Sequence, residues 1–199
     1  GCGIGAAAIH LAPKYNRYIG VDISEKMIEI GKEVTKGMGN VELIVANSKE
    51  MPVKPGVADI IFLNGSLHHM TDTRVVMQSL FKHAKPQAWF VALEPQSANP
   101  IIQFMRKIRM IIDKSYSKDQ IFFSEKDLVR LVKDAGLSNI SVEYQGYLLP
   151  PLAQVALSPQ WLFTLFAKLC LFSERSVEKL MIGPLRKSSW NITVYGQFP

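Results

Sequence analysis

Cysteine is scarce in this chain: two among 199 residues, Cys2 and Cys170, far apart and in unlike surroundings. They form neither a disulfide framework nor a metal-ligand spacing, which excludes a small stapled domain and suits the reducing cytoplasm. Internal repeats, low-complexity tracts and Pro/Gly/Ser-rich linkers are also missing, so solenoids and strings of small modules are excluded. Long basic runs are absent too. The net charge of +6 is carried singly or in pairs such as Arg106-Lys107 and Arg186-Lys187, which fits a solvated face and argues against a nucleic-acid groove. With 48% hydrophobic residues the chain can bury one core. It reads as a single domain over 1–199 with helical insertions at about 96–120 and 148–187.

A further absence lies at the opening. "GCGIGAAAIHLA" (1–12) is a glycine turn running into an alanine-rich helix, with no strand in front to launch it. The sequence therefore predicts a fragment, truncated at its amino terminus, whose first strand would enter the sheet between the strands ending at Asp22 and Asn64.

The segments that are present alternate regularly. A helix over Ala6 to Leu11 stops at Pro13, and "RYIGVDIS" reads as a strand ending at Asp22. Ser24 is placed to cap a helix carrying Met27, Ile28 and Ile30. Strand "VELIVA", loop "NSKEMPVKPG" and strand "ADIIFLN" follow, then a helix from about Thr73 to Ala84 and strand "AWFVALEP". "SEKDLVRLVKDAGL" is a helix capped by Ser124 and stopped by Gly136. "NISVEYQG" and "WNITVYGQF" read as the last two strands. Apolar strands separated by helices predict an α/β fold: a doubly wound, Rossmann-like, mostly parallel sheet buried on both faces, with an antiparallel last strand and helical insertions forming a lid. Ligands of such sheets sit at the carboxyl ends of the strands, which here carry Gly1 to Gly5, Asp22, Asn47, Asn64 to His69, and Glu94.

Glycines 1, 3 and 5 let the backbone approach a ligand closely. About twenty residues later, Asp22 can accept bonds from both hydroxyls of a ribose. The same turn also satisfies G-x-G-x-x-A, so on its own it fits a nicotinamide-dinucleotide oxidoreductase equally well. Asp22 also reads as a helix cap, and Glu94 as an anchor for a neighbouring loop. His68 and His69 have no Asp or Cys beside them in sequence to suggest a triad or a metal site. His10 and His83 sit on helical stretches as structural or surface residues.

Taken in order, "GCGIG", "YIGVDIS", "IVANSKEMPV", "ADIIFLNGSLHHM", "LFKHAKPQAWFVALEP" and "FSEKDLVRLVKDAGL" resemble the class I S-adenosylmethionine-dependent methyltransferases, type 11-like, over roughly Gly1 to Tyr144. The resemblance implies S-adenosylmethionine as cofactor and transfer of its methyl to a small-molecule or lipid-like acceptor, at oxygen or carbon. It sets Gly1, Gly3 and Gly5 against the methionine part, Asp22 on the ribose and Ile23 on the adenine. Asn47 stands where the family usually has an aspartate for the adenine amino group, Ser48 offers its backbone N–H, and Asn64 and Gly65 lie near the methyl. If the acceptor must lose a proton, His69, His68 and Glu94 are the candidate catalytic bases. A catalytically silent domain of the same fold remains an alternative, and no metal is implied.

The insertions carry two further patterns. Asn99 caps a helix with Pro100 at its first position, apolar Ile101, Phe104, Met105, Ile108, Ile111 and Ile112 at helical spacing, and bases Arg106, Lys107 and Arg109. From Leu148 to Ala167 there is no charge, yet Pro150, Pro151 and Pro159 argue against one continuous membrane span. A helix starting at Pro159, bearing Trp161, Phe163, Leu165, Phe166 and Leu169, must be covered by its own fold, a partner, a lipophilic substrate or a membrane surface.

Overall fold

The computed structural model describes residues 1–112, 121–147 and 160–199. Asp113, Pro150, Pro151, Ser158 and Pro159 lie outside the described residues, as do the side chains of Met105, Arg109, Ile112 and Phe163.

The glycine turn leads into α1 (Ala6–Leu11), then β1 (Tyr18–Asp22), α2 (Glu25–Val34) and β2 (Val41–Val45). β1 and β2 pair in parallel, Asp22 opposite Val45. A second sheet contains β3 (Ala58–Asn64), β4 (Ala84–Pro95), β5 (Ser138–Gln145) and β6 (Asn191–Gln197), in the order β3, β4, β6, β5. β3 and β4 are parallel, while β6 runs antiparallel between β4 and β5. The helices are α3 (Thr73–His83), α4 (Pro100–Ile112), α5 (Glu125–Asp134) and α6 (Gln160–Leu180).

Local chemistry explains most boundaries. Ser24 caps α2 by accepting from Met27 N–H, and Ser124 with Asp127 forms a reciprocal capping box at α5. The box carboxylate of Asp127 is held below the usual range by its Ser124 bonds. β4 starts four residues before the apolar run because Ala84 already pairs with Ala58, the register shifting before Ile60 meets Trp89.

The core clusters Leu63, Leu67, Val76, Met77, Phe90, Leu128, Ile192 and Val194 between β3, β4, β6 and helices α3 and α5. One expectation is corrected here. β3 is not buried on both faces: Ile61 and Leu63 are buried, but Ile60 and Phe62 are exposed. β1 and β3 each keep one edge without a strand partner among the described residues, and this side of the sheet is correspondingly open.

Around β1 the packing turns on one side chain. Cβ atoms added at Gly5, Gly20 or Gly31 would lie 3.3, 2.7 and 2.7 Å from the Leu43 methyls. Three backbone segments thus close around Leu43, and Gly5, at φ +72, also turns the chain into α1.

Candidate functional site

Two loops meet at the carboxyl ends of β1 and β3. The first residue of the glycine turn comes close to the loop after β3, since a Cβ on Gly1 would sit 2.5 Å from Ser66 Cβ. Gly3 is left-handed at φ +53, and no atom lies within 4 Å of the place its Cβ would take. The turn therefore keeps an open cradle that a side chain would fill. Cys2 N–H donates to Val21 O at 2.9 Å, tying the turn to β1. Burial pushes the Cys2 thiol up to about 11, so it stays protonated and unreactive at neutral pH.

Asp22 organises this corner. Its Oδ2 accepts from Gly3 N–H at 2.7 Å and its Oδ1 from Ser24 N–H at 2.9 Å. The carboxylate thus braces the cradle and the start of α2 together, and each oxygen retains a lone pair for a further donor. Beside it Ile23 is 72% exposed, an apolar platform free for a flat ring. Asn47 is exposed, and its amide oxygen accepts from Lys49 N–H at 3.0 Å, closing a local turn. Ser48 is half-buried, its Oγ 3.7 Å from Met70 Sδ.

The loop after β3 is built on Glu94, which is fully buried at the end of β4. Its Oε1 accepts from Ser66 N–H at 3.1 Å and Leu67 N–H at 2.7 Å. Its Oε2 accepts from His68 N–H at 3.3 Å and takes the His68 ring at Nδ1, 2.7 Å away. Four donors surround a carboxylate with no exposed surface, an arrangement that favours the loop-anchor reading of Glu94 over that of a base. His68 is buried as well, and the carboxylate fixes its Nδ1 as the donor. His69 is exposed, its ring centroid 4.0 Å from that of His68. Burial, and secondarily His68, lower its pKa below the usual histidine value of 6.5. Asn64 is exposed at the end of β3, and Gly65 turns the chain at φ +58. The Ser66 hydroxyl is buried without a hydrogen-bond partner.

Most sequence-predicted site residues are therefore gathered at one edge: Gly1, Gly3, Asp22 and Ile23 on one side, Asn64, Gly65, His68 and His69 on the other. Gly5 faces Leu43 and serves packing. His10 lies in the last turn of α1, and His83 is buried with Nδ1 3.2 Å from Lys54 O. No cluster of metal-ligating side chains occurs among the described residues. Sequence reasoning missed Ser66, whose orphaned hydroxyl between the two loops has no signature in the chain. A cavity of about 880 Å³ lies elsewhere, between α3 and α5, lined by Met77, Phe81, Phe122, Phe123, Arg130 and Leu131. None of its lining residues belongs to the glycine turn or to the loops after β1 and β2.

The open cradle at Gly3, the braced carboxylate, the exposed Ile23 and the orphaned Ser66 hydroxyl together fit a ligand with an adenosine ribose and an amino acid end. Comparison with known proteins agrees. Residues 1–92 match a family model described as a methyltransferase domain. A demethylmenaquinone methyltransferase of Staphylococcus saprophyticus is 29% identical over an alignment covering 62% of this chain; the chain spans 60% of that relative's length. In fold, the chain is similar to an S-adenosylmethionine-dependent methyltransferase of Thermotoga maritima, with a TM-score of 0.69 and 16% identity over 99% of this chain and 78% of the other. It is likewise similar to a Haemonchus contortus phosphoethanolamine N-methyltransferase solved with S-adenosylmethionine, with a TM-score of 0.64 and 16% identity over 99% and 46% of the two chains. The ambiguity of the glycine pattern is thereby removed in favour of a methyltransferase frame over a nicotinamide one.

Proposed function

We propose that this chain, which belongs to the class I S-adenosylmethionine-dependent methyltransferases, moves a methyl group to a small, lipid-like acceptor at carbon or oxygen. The observation that carries the reading is the Gly3–Asp22 bond beside an open cradle, because it preorganises the backbone and a carboxylate for one ligand. Asp22 would take the ribose hydroxyls, Ile23 the adenine face, and Gly1, Gly3, Ser66, Asn64 and Gly65 the methionine end. Ser48 would offer its N–H and Asn47 its amide to the adenine edge. Bound there, the cofactor supplies an already activated methyl, so the protein's own work is to orient the acceptor and exclude water.

The acceptor class draws on the named relative, a demethylmenaquinone methyltransferase, and a quinone of that kind is the first substrate to test. Isothermal calorimetry on the protein containing these residues is expected to show binding of S-adenosylmethionine and none of a nicotinamide dinucleotide. Labelled-methyl transfer to a demethylmenaquinone is expected to follow. Cofactor binding with no turnover on any of a broad acceptor panel would favour a silent domain instead.

Where the acceptor must shed a proton, we propose that His69 takes it; the exposed His69 ring lies against His68, whose Nδ1 is 2.7 Å from Glu94, and this supports the reading. A lowered pKa leaves the His69 imidazole neutral at pH 7, ready to accept. The rate is therefore expected to rise with pH through a value below 6.5 and to stay flat through neutrality. His69→Gln is expected to lower kcat by roughly 10²–10⁴-fold and to abolish that acid limb, with cofactor affinity unchanged. An unaltered pH profile in the variant would remove His69 from this role.

A further inference from the structure

We propose that α6 and the turn after it form a docking face for an anionic lipid surface. The helix is turned inside out. Its two acidic residues point into the fold: Glu174, buried, accepts from Tyr147 N–H, and Glu178 Oε1 accepts from Gly146 N–H at 3.2 Å. Both carboxylates are thus engaged by the backbone at the end of β5. Outward, at helical spacing, stand Trp161, Leu165, Leu169 and Phe172, which are 69, 62, 63 and 76% exposed. A water-facing helix has the opposite arrangement. So large an apolar face needs a covering partner.

The charges on that face select the partner. Lys168, Arg175 and Lys179 are exposed, and on a helical wheel they fall among Trp161, Leu165 and Phe172. Both acids between residues 160 and 188 being engaged inward, the charges left to the outer face are cationic. The turn Gly183–Ser188 adds exposed Leu185, Arg186 and Lys187, and Ile182 just before it is exposed as well. That turn is joined to the start of α4, where Asn99 Nδ2 donates to Ser188 O at 2.5 Å. α4 exposes a second apolar stripe of Ile101, Phe104, Ile108 and Ile111. Apolar side chains mixed with long bases match a membrane interface, where stems bury and ammonium groups reach anionic headgroups. No helix among the described residues is long and apolar enough to cross a membrane.

Sedimentation of the cofactor-loaded protein with phosphatidylcholine vesicles, with and without phosphatidylglycerol, tests this. Binding is expected to the anionic vesicles alone and to fall as salt rises. Lys168→Glu with Arg175→Glu is expected to weaken it by roughly five-fold per charge removed. Leu169→Glu with Phe172→Glu is expected to weaken it by at least about ten-fold, with Tm and cofactor affinity unchanged. Absence of sedimentation overturns the proposal. A lowered Tm in the Leu169→Glu, Phe172→Glu protein also overturns it, because the face would then be covered within the fold. A dimer dissociated by that pair would assign the face to a second copy and overturn it as well. Cofactor affinity is read separately, so loss of the lipid contact leaves the methyltransferase reading standing.

Discussion

Replacing Glu94 by alanine is expected to destabilise the protein by roughly 3–5 kcal/mol, because several buried donors would lose their acceptor at about 1–3 kcal/mol each. The carboxylate accepts from three consecutive backbone N–H groups, Ser66 to His68, and from the His68 ring, all buried. Alanine leaves those donors without acceptor or water, and each orphan carries its own desolvation cost. Glu94→Gln is expected to be milder yet still damaging, because its amide nitrogen would face a donor wherever it turned. Urea unfolding checks this: a midpoint equal to that of the wild type in Glu94→Ala would mean the loop after β3 is held by something else. Since His69 lies at the end of that loop, activity is expected to fall further than stability alone dictates.

The second large effect is expected at Asp22. Asp22→Ala is expected to weaken S-adenosylmethionine binding by about 1.5–3 kcal/mol, the worth of hydrogen bonds to a charged group. Two losses combine. The ribose would lose its acceptor, and Gly3 N–H would lose the 2.7 Å bond that holds the cradle in shape. Asn47→Ala is expected to do less, since that side chain is exposed and already occupied by Lys49 N–H. Gly3→Val is expected to exceed both: a β-branched residue resists φ +53, and its methyls would fill the open space. Calorimetry measures all three, and an unchanged affinity in Asp22→Ala would sink the cofactor assignment.

What the sequence revealed and what it hid divide along sequence distance. The glycine turn, the Ser24 and Ser124 caps and the alternation of strands and helices are local, and each was legible from its own few residues. Asp22 could be found because its place at a strand end is itself part of a pattern, although its double duty as brace and cap required the folded corner. Glu94 was legible at its strand end as either a loop anchor or a base, but its partners, 26 to 28 residues away, had no local signature. The local turn that Asn47 closes with Lys49 N–H had no signature in the chain, and it leaves the amide nitrogen and a second oxygen lone pair for the adenine edge. The apolar character of α6 was plain, but its inverted orientation depends on Glu174 and Glu178 meeting the end of β5, a contact about thirty residues away.

The closure of three glycines around Leu43 also bears on how such a sequence can change over generations. A methyl at Gly20 or Gly31 meets the leucine at 2.7 Å, and at Gly31 it also meets Ile4 O at 3.0 Å, so neither position can drift while Leu43 stays as it is. Shortening Leu43 relieves only part of each clash, because a methyl at Gly20 still meets Cys2 Sγ at 2.9 Å and one at Gly31 still meets Ile4 O at 3.0 Å. Changes at 20 or 31 are thus coupled to Leu43 through a shared contact, yet each also needs a second neighbour to give way. Descendants of this chain are expected to keep both glycines even where position 43 changes.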